Sequence, residues 1–271
     1  MQKAIQFGKE LFGRFTEHEV AGLAAQLAYF FLLAIFPFMI FLVALMGYLP
    51  ISLDSLKATL DSYAPEAALE LITNNLEAKN GSLLSVGIIG TLLSASNGIN
   101  AIMRAFNRAY EVGEDRSFLK NRFIAIVLTI AMLIVIVVAL LLPVFGKAIG
   151  VYIFTWFGVS ERFLAIWDAL RWVISSGILV LVLLSLYILA PNHHVNIKQA
   201  LAGSAFATLF WQLASLGFSY YVSFSAQAYS TTYGSLGGII ILMLWFYLSG
   251  MIIIIGGEIN AMLRDRKAFK P

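Results

Sequence analysis

Residues 123–144 read FIAIVLTIAMLIVIVVALLLPV, a stretch that contains no charged side chain and is rich in isoleucine, valine and leucine. A helix crosses the hydrocarbon core of a bilayer with about 20 mostly apolar residues, so this stretch is predicted to span a membrane. The composition of the whole chain agrees. Of its 271 residues 60% are hydrophobic and only 12% are charged, whereas about a quarter of the residues of a soluble domain are charged.

Five further apolar stretches of similar length lie before and after this one. The chain is therefore predicted to be an all-α, polytopic membrane protein whose single domain covers residues 1–271. The six predicted membrane-spanning helices cover residues 26–49, 83–103, 123–145, 172–190, 200–224 and 236–257.

The distribution of lysine and arginine predicts the orientation of these spans. Of the 18 basic residues, 13 fall on the side of the N-terminus and five fall on the opposite side. Because positive charge near the ends of spans concentrates in the cytoplasm, both termini are predicted to be cytoplasmic.

Two segments between the predicted spans have the composition of extracytoplasmic amphipathic helices. Residues 52–78, after the first span, repeat leucine and alanine at three- and four-residue spacing, and their acids outnumber their bases. We expect this helix to cover the outer face of the bundle. Residues 147–171, after the third span, combine tryptophan and phenylalanine with few charges, which is typical of a helix lying in the membrane interface.

The second predicted span is the most polar of the six. Asn97, Asn100, Arg104 and Arg108 recur at three- and four-residue spacing, so they share one face of a helix. Polar groups without partners are costly in hydrocarbon, and we expect this face to point into the bundle or into a wet cavity. Two interpretations stay open, which are hydrogen bonding between helices and a path for a substrate.

Glu258 lies near the inner end of the last span, six residues before Arg264. Its carboxylate could pair with a base from residues 104–122, stay solvated at the interface, or bind a proton during transport. Pairing is the preferred interpretation, because a buried charge is costly unless it is paired.

Residues 111–122 form the densest cluster of charges in the chain. Bases in and beside this loop are candidates for binding the phosphates of anionic lipid headgroups, although positive-inside topology alone would also place them there. Mixed signs and a net charge of only +3 argue against a nucleic-acid partner. The headgroup-binding candidates are Arg104, Arg108, Arg116 and Lys120.

Several classes of site are excluded by the residues that the chain lacks. It has no cysteine, and the adjacent His193 and His194, with His18 as the remaining histidine, do not supply the three or four ligands of a metal site. Residues 234–238, GSLGG, lack the lysine of a phosphate-binding loop. No metal and no cofactor are therefore expected, and Gly234 and Gly238 are instead expected to allow close contact with another helix.

Seven short motifs, spread over nearly the whole chain, resemble the YihY / BrkB family of bacterial inner-membrane proteins, formerly labelled ribonuclease BN. The resemblance implies a six-helix, multi-pass protein of the bacterial inner membrane. It implies no defined catalytic residues and no agreed substrate, since some relatives are linked to serum resistance and others to export of envelope lipid or lipopolysaccharide. The motifs are AQLAYFFLLAIFP (25–37), NRAYEV (107–112), RSFLK (116–120), YILAPN (187–192), YSTTYGSLGG (229–238), WFY (245–247) and GEINA (257–261).

The chain is predicted not to be an enzyme. Phosphodiester hydrolysis needs carboxylates and histidines that converge on one site. His193 and His194 have no acids near them in the sequence, and the acidic residues 52–78 are predicted to lie outside the cell membrane, away from RNA. Ribonuclease activity is therefore not expected.

Two functions from different classes remain. The first is a transporter or translocase of an amphipathic or lipid-like envelope substrate, favoured by the polar face of the second span and by Pro37, which should kink the first. The alternative is a non-transporting envelope scaffold or interaction protein, in which the same polar groups bond the helices together. Membrane lipids are the expected partners, and a homo-oligomer is possible. The candidates for the substrate path are Gln26, Asn97, Asn100, Trp211, Gln212 and Glu258.

Overall fold

A computed structural model describes residues 2–46, 81–134, 161–234 and 236–268 of the chain. All regular structure in these four ranges is helical, which confirms the predicted all-α class. The helices are α1 (Gln2–Glu17), α2 (Val20–Met46), α3 (Gly81–Ala109), α4 (118–134, where the described range ends), α5 (Glu161–Leu189), α6 (Ile197–Tyr233) and α7 (Leu236–Ala268).

Four of the described helices are long and apolar enough to cross a membrane. Their spans are Val20–Leu42, Gly81–Ala109, Ile197–Ser225 and Leu236–Asp265, and they match the first, second, fifth and sixth predicted spans. Helix α5 contributes a shorter apolar stretch, Val173–Leu189, at the position of the fourth. Of the third predicted span, residues 123–134 are helical as part of α4 and the remainder lies outside the described residues.

Of the two predicted amphipathic segments, the structure describes only part of the second. Residues 52–78 lie outside the described residues. The segment 147–171 is described from Glu161 onward, where it is helical and runs without interruption into the following span as part of α5.

Helices α2, α3 and α7 contact one another and form the centre of the packing. Helix α7 also contacts α6, and α6 contacts α5, while α1 lies against α2 and α7. The buried core, which includes Leu27, Phe106, Tyr187, Ile254 and Met262, lies at the end of the bundle that α1 covers. Many apolar side chains elsewhere on the spans are exposed, as expected for surfaces whose solvent is lipid.

Helices α6 and α7 approach closely at two glycines. A Cβ atom on Gly203 would overlap the carbonyl oxygen of Gly256 and the side chain of Asn260, and one on Gly256 would overlap the hydroxyl of Tyr187. The Gly203 N–H donates to Asn260 Oδ1 at 2.7 Å, and the Tyr187 hydroxyl donates to the Ile253 carbonyl at 2.8 Å. Small residues thus allow α5, α6 and α7 to bond to one another at short range.

The close contact predicted at Gly234 and Gly238 is wrong for the part of the chain that the structure describes. An added Cβ at either glycine would meet nothing within 4 Å. Gly234 has a φ of +56° just past the end of α6, so its role is to end that helix in the left-handed conformation that glycine tolerates. Gly238 lies on an exposed side of α7.

Candidate functional site

Helix α3 carries the four polar residues that were predicted to share one face of the second span. We call them the polar stripe, which consists of Asn97, Asn100, Arg104 and Arg108. Each of three members bonds to a neighbouring element. Arg104 Nη2 donates to Gln26 Oε1 of α2 at 3.2 Å, and Arg108 Nη1 donates to Glu19 Oε2 at 2.9 Å. Arg122 Nη1 of α4 donates to Asn97 Oδ1 at 2.9 Å.

The polar stripe lies at the surface of the described bundle and not inside it. Asn97, Arg104 and Arg108 are exposed, although we expected this face to point into the bundle or a cavity. The reason is that the other face of α3, with Ile102 and Phe106, fills the core. Asn100 is half-buried, and its Oδ1 is buried without a hydrogen-bond partner among the described residues.

Trp211 and Gln212, the path candidates on α6, bond to helices other than α3 and do not join the polar stripe. Trp211 Nε1 donates to Ser249 Oγ of α7 at 3.1 Å, and Gln212 Nε2 donates to Ser176 Oγ of α5 at 2.6 Å. They join α6 to the two helices against which it packs. The predicted path residues thus form separate groups, which are the stripe with Gln26, the α6 pair, and Glu258.

Glu258 is fully buried and paired. Its Oε1 lies 2.7 Å from His18 Nδ1, and its Oε2 lies 3.8 Å from Arg14 Nη1. The preferred interpretation of Glu258 was pairing with a base from residues 104–122, and the structure shows pairing with α1 and the residue that follows it. Arg14 and His18 are one helical turn apart, which puts them on one face, but the sequence offered no signal that this face meets α7.

Further bonds extend this pair into a group of five residues, Arg14, His18, Glu258, Arg264 and Asp265, which we call the charged cluster. Arg14 Nη2 donates to Asp265 Oδ2 at 2.6 Å, and Arg264 Nε donates to Asp265 Oδ1 at 2.8 Å. Two backbone carbonyls at the end of α3 also accept: that of Ala109 from Arg14 at 3.1 Å and that of Tyr110 from Arg264 at 3.1 Å. The cluster therefore joins α1, α3 and α7.

Tyr110 packs beside the charged cluster. The Arg264 guanidinium lies 5.2 Å from the centre of its ring, a cation–π distance, and the His193 ring lies against it at 6.0 Å between ring centres. Burial raises the pKa of the Tyr110 phenol, so this group stays neutral at ordinary pH.

An open groove of about 650 Å³ lies between α1 and α2. Two of its lining residues, Glu19 and Gln26, are the partners of Arg108 and Arg104. The groove therefore continues the polar stripe onto the surface of α2. Its lining residues are Phe15, Thr16, Glu19, Ala21, Gly22, Leu23 and Gln26.

The four headgroup-binding candidates differ in their surroundings. Arg104, Arg108 and Lys120 are exposed, whereas Arg116 is half-buried and bound to the protein. Its guanidinium donates to the carbonyls of Ala190 at 3.0 Å, Leu189 at 3.4 Å and Pro191. These carbonyls end α5, where a cation is favourable. Arg116 thus joins the loop before α4 to the loop after α5.

Two asparagines also join the loop before α4 to the loop after α5. The Asn192 N–H donates to Asn107 Oδ1 at 2.6 Å, and Asn192 Nδ2 donates to the Gly113 carbonyl at 2.8 Å. Asn107 Nδ2 in turn donates to Glu114 Oε2 at 2.9 Å.

Arg116→Leu is expected to lower the free energy of unfolding by about 2 kcal/mol, because hydrogen bonds from a charged donor contribute about 1.5–3 kcal/mol. Thermal unfolding in detergent would measure the loss. Lys120→Leu is the matched control, since Lys120 is exposed and should change stability by less than about 0.5 kcal/mol. Equal effects of the two substitutions would contradict the structural role of Arg116.

The described ranges contain no group of three or more histidine, aspartate, glutamate or cysteine residues that could hold a metal ion. His193 and His194 are exposed.

Comparison with known proteins gives one family and several relatives. The family model described as virulence factor BrkB matches residues 11–271. The chain is 51% identical over 267 residues to the putative ribonuclease-like protein YfkH of Bacillus subtilis strain 168, with 97% of each chain covered. None of the solved structures matches it.

Two relatives described as UPF0761 membrane proteins are more distant. The protein from Tolumonas auensis is 31% identical over 253 residues, which cover 90% of this chain and 80% of that one. The protein from Halorhodospira halophila is 28% identical over 266 residues, which cover 95% of this chain. This chain spans only 57% of the length of the Halorhodospira relative.

Proposed function

The chain belongs to the virulence factor BrkB family of membrane proteins, and from this premise we propose that it is a transporter or translocase of an amphipathic, lipid-like envelope substrate. The match over residues 11–271 confirms the resemblance read from the short motifs. The rest of the proposal depends on the geometry of the chain itself.

The observation that carries the proposal is the exposure of the polar stripe along a membrane-spanning helix. Arg108 and Asn97 are 11 residues apart, or about 16 Å at 1.5 Å per residue, which is roughly half of the ~30 Å hydrocarbon core. Polar groups at this depth are rare where a helix faces lipid. They would be useful to a substrate whose headgroup moves along the protein while its tails remain in the bilayer.

The charges of the stripe suit an anionic headgroup. In the proposed topology of six spans with both termini in the cytoplasm, Arg104 and Arg108 lie at the inner leaflet of the bacterial inner membrane, where basic residues attract anionic lipid. Gln26 and Asn97 continue the path toward the middle of the span. Trp211 and Gln212 are left out of this path, because their bonds hold them where α6 meets α7 and α5, whereas the stripe lies on α3.

The proposal includes no catalytic reaction. Phosphodiester hydrolysis needs converging metal ligands or an acid–base pair, and the residues that the structure describes hold no such metal-binding group. The ribonuclease-like wording belongs to the name of the Bacillus relative, and we propose no catalytic step for this chain.

Transfer of labelled lipid between the leaflets of proteoliposomes tests the proposal. Asn97→Leu/Asn100→Leu is expected to slow transfer by about 30-fold, the equivalent of two lost hydrogen bonds of about 1 kcal/mol each in the transition state. Gln212→Leu is the matched control, because it also replaces a hydrogen-bonded amide within a span but lies off the stripe. Equal slowing by both changes would contradict a path along α3.

A scaffold is the second candidate, and one observation favours it. The bonds from Arg104 to Gln26 and from Arg122 to Asn97 join α3 to α2 and α4, as interhelical hydrogen bonds do in proteins that transport nothing. A folded wild type that transfers neither anionic nor zwitterionic lipids, and that purifies with one stoichiometric protein partner, would support the scaffold and overturn the translocase.

A further inference from the structure

The charged cluster has no part in the proposed path, yet it buries ionisable groups at the point where α1 meets the last span. We propose that Glu258 is a proton-binding site, and that its ionised form holds α1 and the corner at residues 18–19 closed against α7. Binding of a proton at Glu258 Oε2 releases this corner and frees Arg108 of the polar stripe for an anionic headgroup. Only this last step rests on the proposed function.

The two oxygens of Glu258 have different surroundings. Oε1 is hydrogen-bonded to His18, which is itself 6% exposed. Oε2 is buried without a hydrogen-bond partner in the described part of the chain, and Arg14 lies 3.8 Å from it. The carboxylate thus contacts His18 through Oε1 and lies near Arg14 of α1 through Oε2. Oε2 is the atom that has no hydrogen bond to lose when a proton binds, and protonation there converts the bond between His18 and Oε1 from a charge-assisted one into a weaker neutral one.

The groups around Glu258 determine the direction of the effect. Arg264 is bound to Asp265 and to the Tyr110 carbonyl, and the Tyr110 phenol remains neutral. Loss of the Glu258 charge therefore removes the one acid that pairs with His18 among the described residues, whereas Arg14 keeps Asp265 at 2.6 Å and the exposed Glu111. The titratable or charged groups facing Glu258 are Arg14 and His18 from α1, Tyr110 and Glu111 from the end of α3, and Arg264 and Asp265 from α7.

Two solvent-accessible acids lie at the edge of the cluster. The Asp265 side chain is 25% exposed and the Glu111 side chain is 67% exposed, and both lie within 4 Å of Arg14. Arg14 lies within 4 Å of both acids and of Glu258, so we expect movement of Arg14 to bring solvent closer to the buried carboxylate.

The corner at residues 18–19 connects the cluster with the polar stripe. Glu19 has a φ of +53°, a left-handed conformation that is uncommon for residues other than glycine. This turn directs His18 inward to Glu258 and Glu19 outward to Arg108. Displacement of the corner must therefore change both contacts together, and the ion pair of Glu19 with Arg108 is the one that competes with a headgroup.

Distance measurement between two spin labels tests the proposal without any transport. The chain has no cysteine, so Gly13→Cys and Leu119→Cys give one label on α1 and one at the start of α4. Both positions are exposed, and a side chain at Gly13 has open space. In lipid nanodiscs the wild-type background is expected to show one distance at about pH 8 and a second, longer one on acidification to about pH 5.

Variants identify the group that binds the proton. With Glu258→Gln the longer distance is expected already at high pH, with no further response to acid. With His18→Gln the response to acid is expected to persist, because Glu258 Oε2, the proposed proton site, is unchanged. A response that disappears with His18→Gln and survives Glu258→Gln would assign the proton to histidine and overturn the proposal.

The control pair is Leu119→Cys with Ile197→Cys. Both side chains are exposed, and they lie beside the loops that Arg116 joins, so their distance should not change with pH. A wild-type distance between labels 13 and 119 that stays constant from about pH 8 to about pH 5 overturns the proposal whether or not the variants fold. If the distance between labels 13 and 119 changes with pH but no lipid is transferred, the proton site is retained and the path along α3 is rejected. If lipid is transferred but the distance stays constant, the path along α3 is retained and the proton site is rejected.

Discussion

His18→Leu is expected to lower the free energy of unfolding by about 3–5 kcal/mol, the range found when one partner of a buried ion pair is removed. Leucine leaves the Glu258 carboxylate fully buried without the hydrogen bond from His18, and among the described residues Arg14, at 3.8 Å, is then the base nearest to it. Most of this loss in the free energy of unfolding comes from the uncompensated negative charge, and the lost hydrogen bond itself contributes less. Chemical or thermal unfolding in detergent, followed by near-ultraviolet circular dichroism, would measure the difference.

The double variant His18→Leu/Glu258→Leu should recover most of this loss. It removes the stranded charge together with its partner, and replacing a buried ion pair with apolar residues is often neutral or stabilising. Arg14 keeps Asp265 and the Ala109 carbonyl as acceptors. Arg108→Leu is the matched control for an ion pair, since Arg108 and Glu19 are 43% and 70% exposed and such pairs contribute about 0–1 kcal/mol. Additive losses in the double variant would contradict the assignment of the cost to a stranded charge.

Gly203→Ala is expected to lower the free energy of unfolding by about 3 kcal/mol, the upper part of the range for overpacked interiors. The added methyl group would overlap the Gly256 carbonyl and the Asn260 side chain. Because the first of these is helix backbone, α6 and α7 must move apart to make room. The bond from the Gly203 N–H to Asn260, 2.7 Å in length, would be weakened by the same movement.

Gly217→Ala on the same helix is the control for helix propensity. A Cβ at Gly217 would meet nothing within 4 Å, so alanine there should be neutral or stabilising by about 0.5–1 kcal/mol. The melting temperatures of the two variants, measured side by side by loss of monodisperse protein after heating, give the comparison. If the Gly203→Ala and Gly217→Ala proteins have the same melting temperature, α6 and α7 do not need this close contact.

The features that the sequence predicted correctly are those set by local pattern. Apolar length identified the spans now seen at Val20–Leu42, Gly81–Ala109, Ile197–Ser225 and Leu236–Asp265, because the bilayer imposes that length on each helix separately. Helical spacing placed Asn97, Arg104 and Arg108 on one face, and they are on one face. Neither inference needs knowledge of what the helix packs against.

The features that the sequence did not predict depend on partners that are far apart in the chain. His18 and Glu258 are 240 residues apart, and the amphipathic pattern of α1 indicates a buried face without naming its neighbour. Arg116 was predicted to meet lipid phosphate from its place in a basic loop, whereas its guanidinium meets carbonyls that end α5, about 75 residues later. Small residues recur in several helices, and spacing alone did not distinguish Gly203 and Gly256 from Gly234 and Gly238.

The contact between α1 and α7 has a consequence for biosynthesis. A ribosome adds about 5–20 residues per second, so the 240 residues between His18 and Glu258 correspond to about 10–50 s of translation. Throughout this interval the nascent α1 and the residue after it have Arg14 and His18 without Glu258 and Asp265, and both side chains must stay hydrated at the membrane surface. Docking of α1 on α7 therefore cannot precede synthesis of the last helix, and a ribosome that stalls before that helix leaves an amphipathic segment accessible to chaperones and proteases.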